Sequence, residues 1–184
     1  MALEHANLAP PGMRHARSYV AALREGFRRG DQEIVSEQRV RQIEADFARY
    51  LAAITNQTGD IRLLTGEKVR KVPFSLHWLS EGDLFIGEAS IRHELNSHLL
   101  QEGGHVGYGI RPSHRGRGYG KRILALALFE CRRLGIERAL VTCLDSNIAS
   151  ARIIEANGGC LENVIAAPSG RGPLRRYRIA LSSC

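Results

Sequence analysis

The sequence predicts an α/β (α+β) fold: a mixed, mostly antiparallel central sheet with a βαβ core, flanked by helices. Three observations carry that prediction. Two N-terminal stretches repeat their apolar residues at helical spacing. Over residues 74–92 the period drops to two, with a turn in the middle, which is the pattern of a hairpin. A strand, a glycine-rich turn, an apolar helix and a second strand then follow one another. That order implies parallel strands joined by a right-handed crossover.

At 184 residues the chain suits one domain with a substantial core, and 43% hydrophobic with 24% charged residues is a globular composition. Net charge is +7 and the pI about 9.7. Lys68, Lys71 and Lys121 are the only lysines, so the cations are nearly all arginine. Such an excess fits nucleic-acid binding, phosphate binding or genome base composition, and only its clustering can separate them. The cysteines Cys131, Cys143, Cys160 and Cys184 lack metal-ligand spacing, so no metal site is expected and the thiols are read as reduced and mostly buried. No signal-peptide pattern and no bilayer-length apolar run is visible, which points to a cytoplasmic protein without membrane contact.

The elements follow in order. Residues 1–15, with "LAPPG" at 8–12, form an irregular lead-in. A helix spans Ala16 to Phe27, with Tyr19, Val20, Leu23 and Phe27 apolar and Gly30 as its stop. A second helix places Val40, Ile43, Phe47, Tyr50, Leu51 and Ile54 on one face, until "NQTGD" breaks it. "FSLHWL" and "LFIGEASIR", separated by "SEGD", pair as a hairpin. "HELNSHLLQEGG" is irregular, and "HVGYGIRP" is a strand ending at Pro112. A helix begins by Lys121 and closes at Gly135; "RALVTCLD" is a strand, and "SNIASARIIEANGG" a short helix. "CLENVIAAP" and "LRRYRIAL" form the last hairpin.

The strand-to-helix connection "IRPSHRGRGYGKR", residues 110–122, holds three glycines and five Arg or Lys side chains. The first amides of a helix have no internal partners and attract anions, and glycine lets a phosphate approach the backbone. Arg115, Arg117 and Lys121 add formal charge. The ATP-type loop is excluded because no Ser or Thr follows Lys121, and the dinucleotide pattern fails because Lys121 stands at its third glycine. An arginine–glycine box for nucleic acid would repeat; this one occurs once.

The run Ile110, Arg111, Pro112, Ser113, His114, Arg115, Gly116, Arg117, Gly118, Tyr119, Gly120 resembles the acyl-CoA pyrophosphate loop of the GNAT superfamily of N-acetyltransferases, Arg/Gln-x-x-Gly-x-Gly/Ala. The segment Asn147-Ile-Ala-Ser150, ahead of a short helix and Gly158-Gly159, resembles the superfamily's following element. The resemblance covers residues 84–165 and implies a GNAT-like domain over 1–184. It implies transfer of an acetyl group from acetyl-CoA to a primary amine, by direct attack in a ternary complex. Ile110, Arg111, Arg115, Gly116, Arg117, Gly118, Tyr119, Gly120 and Lys121 then bind the cofactor, as do Asn147 and Ser150. For Asn147 a helix-capping role competes with a pantetheine contact.

The resemblance further implies a backbone oxyanion donor within Tyr108–Ile110, and a splay of "GYGI" from "VTCL" that admits the pantetheine. The family's tyrosine acid, seven residues after the Asn, is Ile154 here. Tyr177 and Tyr108 are substitutes, each against a plain packing role. Glu88, His93, Glu94 and His105 are candidate bases, and Glu94 or His93 is expected to border the acceptor site. Cys143 is read as core rather than nucleophile. Two other classes stay open: a non-catalytic CoA-binding module, favoured by Ile154, and a nucleic-acid binder, favoured by the pI and by Arg171, Arg175, Arg176 and Arg178. The last hairpin also offers an edge for a homodimer.

Overall fold

A computed structural model of the chain describes residues 5–30, 33–63 and 65–181. Its contacts divide the chain into two compact units: Met1–Asn56, Leu76–Ala89 and Tyr108–Leu126 make the first, and Gln57–Ser75, Ser90–Gly107 and Ala127–Cys184 the second.

In the first unit, strand β1 (Asn7–Ala9) pairs antiparallel with residues 78–80. This strand lies inside the expected lead-in; Pro10 and Pro11, which cannot donate to a ladder, stop it after three residues. Helix α1 (Ala16–Arg24) ends six residues before Gly30. Gly26, at φ +87°, is the actual stop. Its amide reaches Leu23 O and that of Phe27 reaches Ala22 O, both at 2.9 Å, a Schellman closure that needs a left-handed residue. The single second helix expected from periodicity is two helices, α2 (Glu37–Ala45) and α3 (Phe47–Thr55). Asp46 breaks them apart (φ −139°, ψ 69°) and caps α3 by accepting from Arg49 N at 3.0 Å. Aspartate's preference for a cap overrides the continuous apolar face.

Those helices cover an aromatic core. Tyr19 stacks on Trp78 with ring centres 4.6 Å apart, and Phe85 lies edge-on to Tyr19, Phe27 and Trp78. Val40, Ile43 and Phe47 complete it.

Two further short elements come before the main hairpin, β2 (Asp60–Arg62) and β3 (Lys68–Arg70), paired antiparallel. They are mostly exposed, so no burial alternation announces them. The expected hairpin is β4 (Phe74–Glu81) with β5 (Leu84–Arg92). "HELNSHLLQEGG", expected to be irregular, contains helix α4 (Ser97–Gln101), capped by Asn96 Oδ1 on Leu99 N at 2.9 Å. Five residues are too few to show a helical period. Strand β6 (Val106–Ile110) completes a four-stranded sheet of order β1–β4–β5–β6.

A 3₁₀ turn at Pro112–His114 leads to helix α5 (Tyr119–Arg133), which starts two residues earlier than expected. Strand β7 (Arg138–Leu144), helix α6 (Ile148–Glu155) and strands β8 (Cys160–Ala166) and β9 (Pro173–Ala180) follow. Their sheet has the order β7–β9–β8, antiparallel throughout. The strand–helix–strand succession β6–α5–β7 is present, yet β6 and β7 belong to different sheets. β6 pairs with β5 and β7 with β9. Cys131 and Cys143 are buried and Cys160 is exposed, while Cys184 lies outside the described residues.

Candidate active site

The connection between β6 and α5 is built by glycine and held by one buried arginine. Gly116 (φ +74°) and Gly118 (φ +87°) adopt the left-handed conformation that side chains resist. The helical ladder starts late: Lys121 N and Arg122 N both donate to Gly118 O, at 3.1 and 3.2 Å. Among the described residues, the amides from Gly116 to Gly120 have no backbone acceptor. Arg115, Arg117 and Lys121 are exposed around them. Backbone amides, a helix N-terminus and cations on one short segment can hold a multiply charged anion.

Arg111 does not belong to that cationic surface, contrary to expectation. Its residue is buried, and its guanidinium donates through Nε and Nη2 to Glu25 Oε1, and through Nη1 to Ser18 Oγ at 3.1 Å. A guanidinium inside a protein needs a carboxylate, and Glu25 supplies it from just beyond α1. The same carboxylate accepts from Ser113 N at 3.2 Å, so it ties down the start of the turn at two points. The Arg111 bond, followed by smaller contributions from Ser113, brings the Glu25 carboxyl down to about 2. Sequence reading missed Glu25, because nothing local marks a partner 86 residues away. Tyr119 also departs from expectation. Its ring is buried and its hydroxyl donates to Glu81 Oε1 at 3.1 Å, so only its amide remains on the anion-facing side. Ile110 is half-buried, and its carbonyl accepts from Arg115 Nε at 3.1 Å.

In the second unit, Asn147 caps α6, its Oδ1 accepting from Ser150 N at 3.1 Å. The capping role is therefore present. It uses only the oxygen, and the side chain is exposed with its amide nitrogen as a donor. The Ser150 hydroxyl lies against Cys143, whose thiol burial pushes up.

The candidate proton-transfer groups separate by burial. Tyr177 is completely buried in β9, and its hydroxyl donates to Glu155 Oε1 at 2.9 Å. Burial and that carboxylate both keep the phenol protonated. Ile154 is also fully buried. His105 is a structural group: its Nδ1 accepts from Leu140 N at 2.9 Å, while its own amide donates to Leu140 O. Burial lowers its pKa. His93 Nε2 lies 2.8 Å from Ser75 Oγ and is half-buried, and Glu94 beside it is exposed. Glu88 is buried in the first unit, accepting from Trp78 and Arg29. Among the described residues no three His, Cys, Asp or Glu side chains gather as metal ligands would, and no helix is long and apolar enough to cross a membrane.

Comparison with solved structures finds the same fold at low identity. RimJ from Mycobacterium smegmatis, in complex with CoA-disulfide, is 16% identical with a TM-score of 0.66, over 95% of this chain and 81% of that one. AAC(6')-Ib, in complex with ribostamycin and coenzyme A, is 11% identical with a TM-score of 0.62, over 95% and 93%. Mutant forms of the spermidine/spermine N-acetyltransferase SpeG from Vibrio cholerae are 13% identical with a TM-score of 0.59, over 97% and 95%. No curated protein matches the sequence significantly. The acetyltransferase (GNAT) domain matches residues 13–159, four-fifths of the chain, with the glycine turn inside the match, and the chain therefore belongs to the GNAT acetyltransferase family.

Proposed function

We propose that this protein transfers the acetyl group of acetyl-CoA to a primary aliphatic amine, by direct attack in a ternary complex, and that its two units act as one transferase domain. Membership of the family makes it an acetyl-CoA-dependent N-acetyltransferase; the acceptor class and the order of events are proposed here. The observation that carries the proposal is the run of amides from Gly116 to Gly120 without backbone acceptors, ahead of a 15-residue helix. They are the donors for the cofactor's diphosphate, with Arg115, Arg117 and Lys121 around it.

Other roles follow from local geometry. β6 is the last strand of its sheet, and Arg111 N donates to Ile86 O. Amides alternate along a ladder, so Ile110 N–H points away from β5, and we assign it the developing oxyanion. Asn147, capping with its oxygen, donates its amide nitrogen to the pantetheine arm, beside Ser150. His93, polarised by Ser75, and the exposed Glu94 border the acceptor entrance. Tyr177 is given a packing role, because its proton is already shared with Glu155; the thiolate then takes its proton from the attacking amine or from water.

Calorimetry with acetyl-CoA, followed by thiol release against an amine panel, tests the proposal. Binding with turnover supports it. No heat at millimolar cofactor overturns it. A second reading, a CoA-binding module without catalysis, is favoured by the buried Ile154 where the family's acid stands. Binding without thiol release for any amine would select it.

A further inference from the structure

The first unit encloses a carboxylate that the roles above leave unused. Glu88 is only 6% exposed. Its Oε2 accepts from Trp78 Nε1 at 2.9 Å and its Oε1 from Arg29 Nε at 2.8 Å. Beside it, the hydroxyls of Tyr19 and Tyr50 share a hydrogen bond of 2.8 Å. The Tyr19 phenol is held well above its usual pKa, by burial first and by the Glu88 charge second. A carboxylate between Trp78 and Tyr19 is costly to take out of water, and replacing the whole Arg29–Glu88 pair by apolar side chains of similar volume would leave the core as stable or more so.

The position of Arg29 suggests what the carboxylate is for. The chain leaves α1 and runs through Phe27 and Arg28 across Gly109 of β6. A Cβ on Gly109 would stand 3.4 Å from both Arg28 O and the Phe27 ring. The next residue, Arg29, reaches down to Glu88. The guanidinium thus arrives by way of the strand whose Ile110 amide is assigned the oxyanion. The ion pair is also asymmetric. The Glu88 side chain is 8% exposed and the Arg29 side chain 20%, and only the Arg29 Nε bond joins them, so the arginine can swing toward water while the carboxylate stays. Tyr50 also lines an open groove of about 370 Å³ with Arg39, Asp46 and Arg49, although Glu88 and Arg29 do not reach it.

We infer that Glu88 is the counter-ion for an ammonium group of the acceptor, and that Arg29 is the chain's own cation holding that place until an acceptor displaces it. The inference rests on the acetyltransferase reading and names its acceptor class: an aliphatic amine that is cationic at neutral pH. An alkylammonium brings three N–H donors, enough to replace the Arg29 bond and to reach the adjacent phenol oxygens. A neutral aromatic amine that pushed Arg29 aside would leave the Glu88 charge buried and unpaired, and so would be rejected.

Trp78 is the only tryptophan, and its indole N–H is bonded to Glu88, so its emission reads the state of the carboxylate directly. The full chain, saturated with CoA, which has no acetyl group to transfer, is titrated with 1,4-diaminobutane, methylguanidinium and aniline. In the unaltered protein the diamine shifts Trp78 emission and aniline does not. Arg29→Ala binds the diamine at least fivefold more tightly, and methylguanidinium returns its emission to that of the unaltered protein. Glu88→Gln loses both responses. An Arg29→Ala variant that binds the diamine no more tightly and ignores methylguanidinium overturns the inference, as does a folded Glu88→Gln variant that responds normally. Should Glu88→Gln fail to fold, the Arg29→Ala titrations decide alone. Acetyl-CoA calorimetry on the same samples separates the two claims. Cofactor heat without a cation response removes only this inference, and a cation response without cofactor heat removes the transferase reading.

Discussion

Two arginine-rich stretches of this chain use their charge differently. In β9 and the turn before it, each arginine meets an acid: Arg171 with Glu102 at 2.7 Å, Arg175 with Asp145 at 2.6 Å, and Arg176 and Arg178 with Glu162 at 3.4 and 3.0 Å. In the turn after β6 only Arg111 does so. Arg115 and Arg117 stand exposed, with no acid in ion-pair range among the described residues, beside amides that lack acceptors. The difference teaches that formal charge and available charge are separate quantities. A net +7 invited a nucleic-acid reading, yet each arginine offered for it already faces a carboxylate, three carboxylates serving the four. A polyanion gains little from cations already paired, because few counterions are left for it to release. The turn after β6 has its charge unneutralised and its backbone donors exposed, as small-anion binding requires.

The sharpest way to break this contrast is at Glu25. Glu25→Ala strands the Arg111 guanidinium inside the first unit, and the expected loss is about 3 kcal/mol of stability, read from urea unfolding. A loss below about 1 kcal/mol would mean that Arg111 is solvated and belongs with the loop's available cations. The pH dependence follows from the same pair. The Glu25 carboxyl is held at about 2, below its ordinary 4.5. Its contribution is therefore complete above about pH 4.5 and disappears as pH falls toward 2. Glu25→Ala should flatten the acid limb of the stability profile across that window; an unchanged limb would assign acid unfolding to other groups.

Gly118→Val comes next. Its φ of +87° is strained for a β-branched residue, and straightening it turns the amides away from the ligand. Acetyl-CoA affinity should fall on the order of 30-fold by calorimetry. Arg117→Gln removes one exposed cation and should weaken acetyl-CoA by about fivefold, with a shallower salt dependence. The smallest effect belongs to the other stretch. Arg176→Gln should leave acetyl-CoA affinity within about twofold and stability within about 1 kcal/mol, since its partner Glu162 keeps Arg178. A Gln substitution at Arg176 that weakened an oligonucleotide complex while Arg117→Gln did not would reverse the comparison.

Legibility varied along the chain for identifiable reasons. The β4–β5 hairpin, α5 and the β8–β9 hairpin were readable because each is long enough to show a period and is bounded by Gly, Pro or Asp turns. β1, β2, β3 and α4 were not: at three to five residues no period develops. The α2–α3 break was hidden because its apolar face runs on through Asp46. In the turn after β6, Gly116 and Gly118 adopt positive φ, a conformational demand that the sequence reading, which placed glycine there for phosphate approach, did not name, and Arg111 and Tyr119 were grouped with the turn by proximity alone.

By itself the sequence determined where backbone must bend and where donors must be exposed. Glycine, proline and helix starts act through local sterics and unpaired amides, which need no distant partner. Only the tertiary structure decided what each charge does. Whether an arginine is an anchor, as Arg111 is on Glu25, or a placeholder, as we infer for Arg29 on Glu88, depends on a carboxylate brought from another part of the chain, at separations of 86 and 59 residues. Coulombic and hydrogen-bond energies fall steeply with distance in space and carry no trace of distance along the chain.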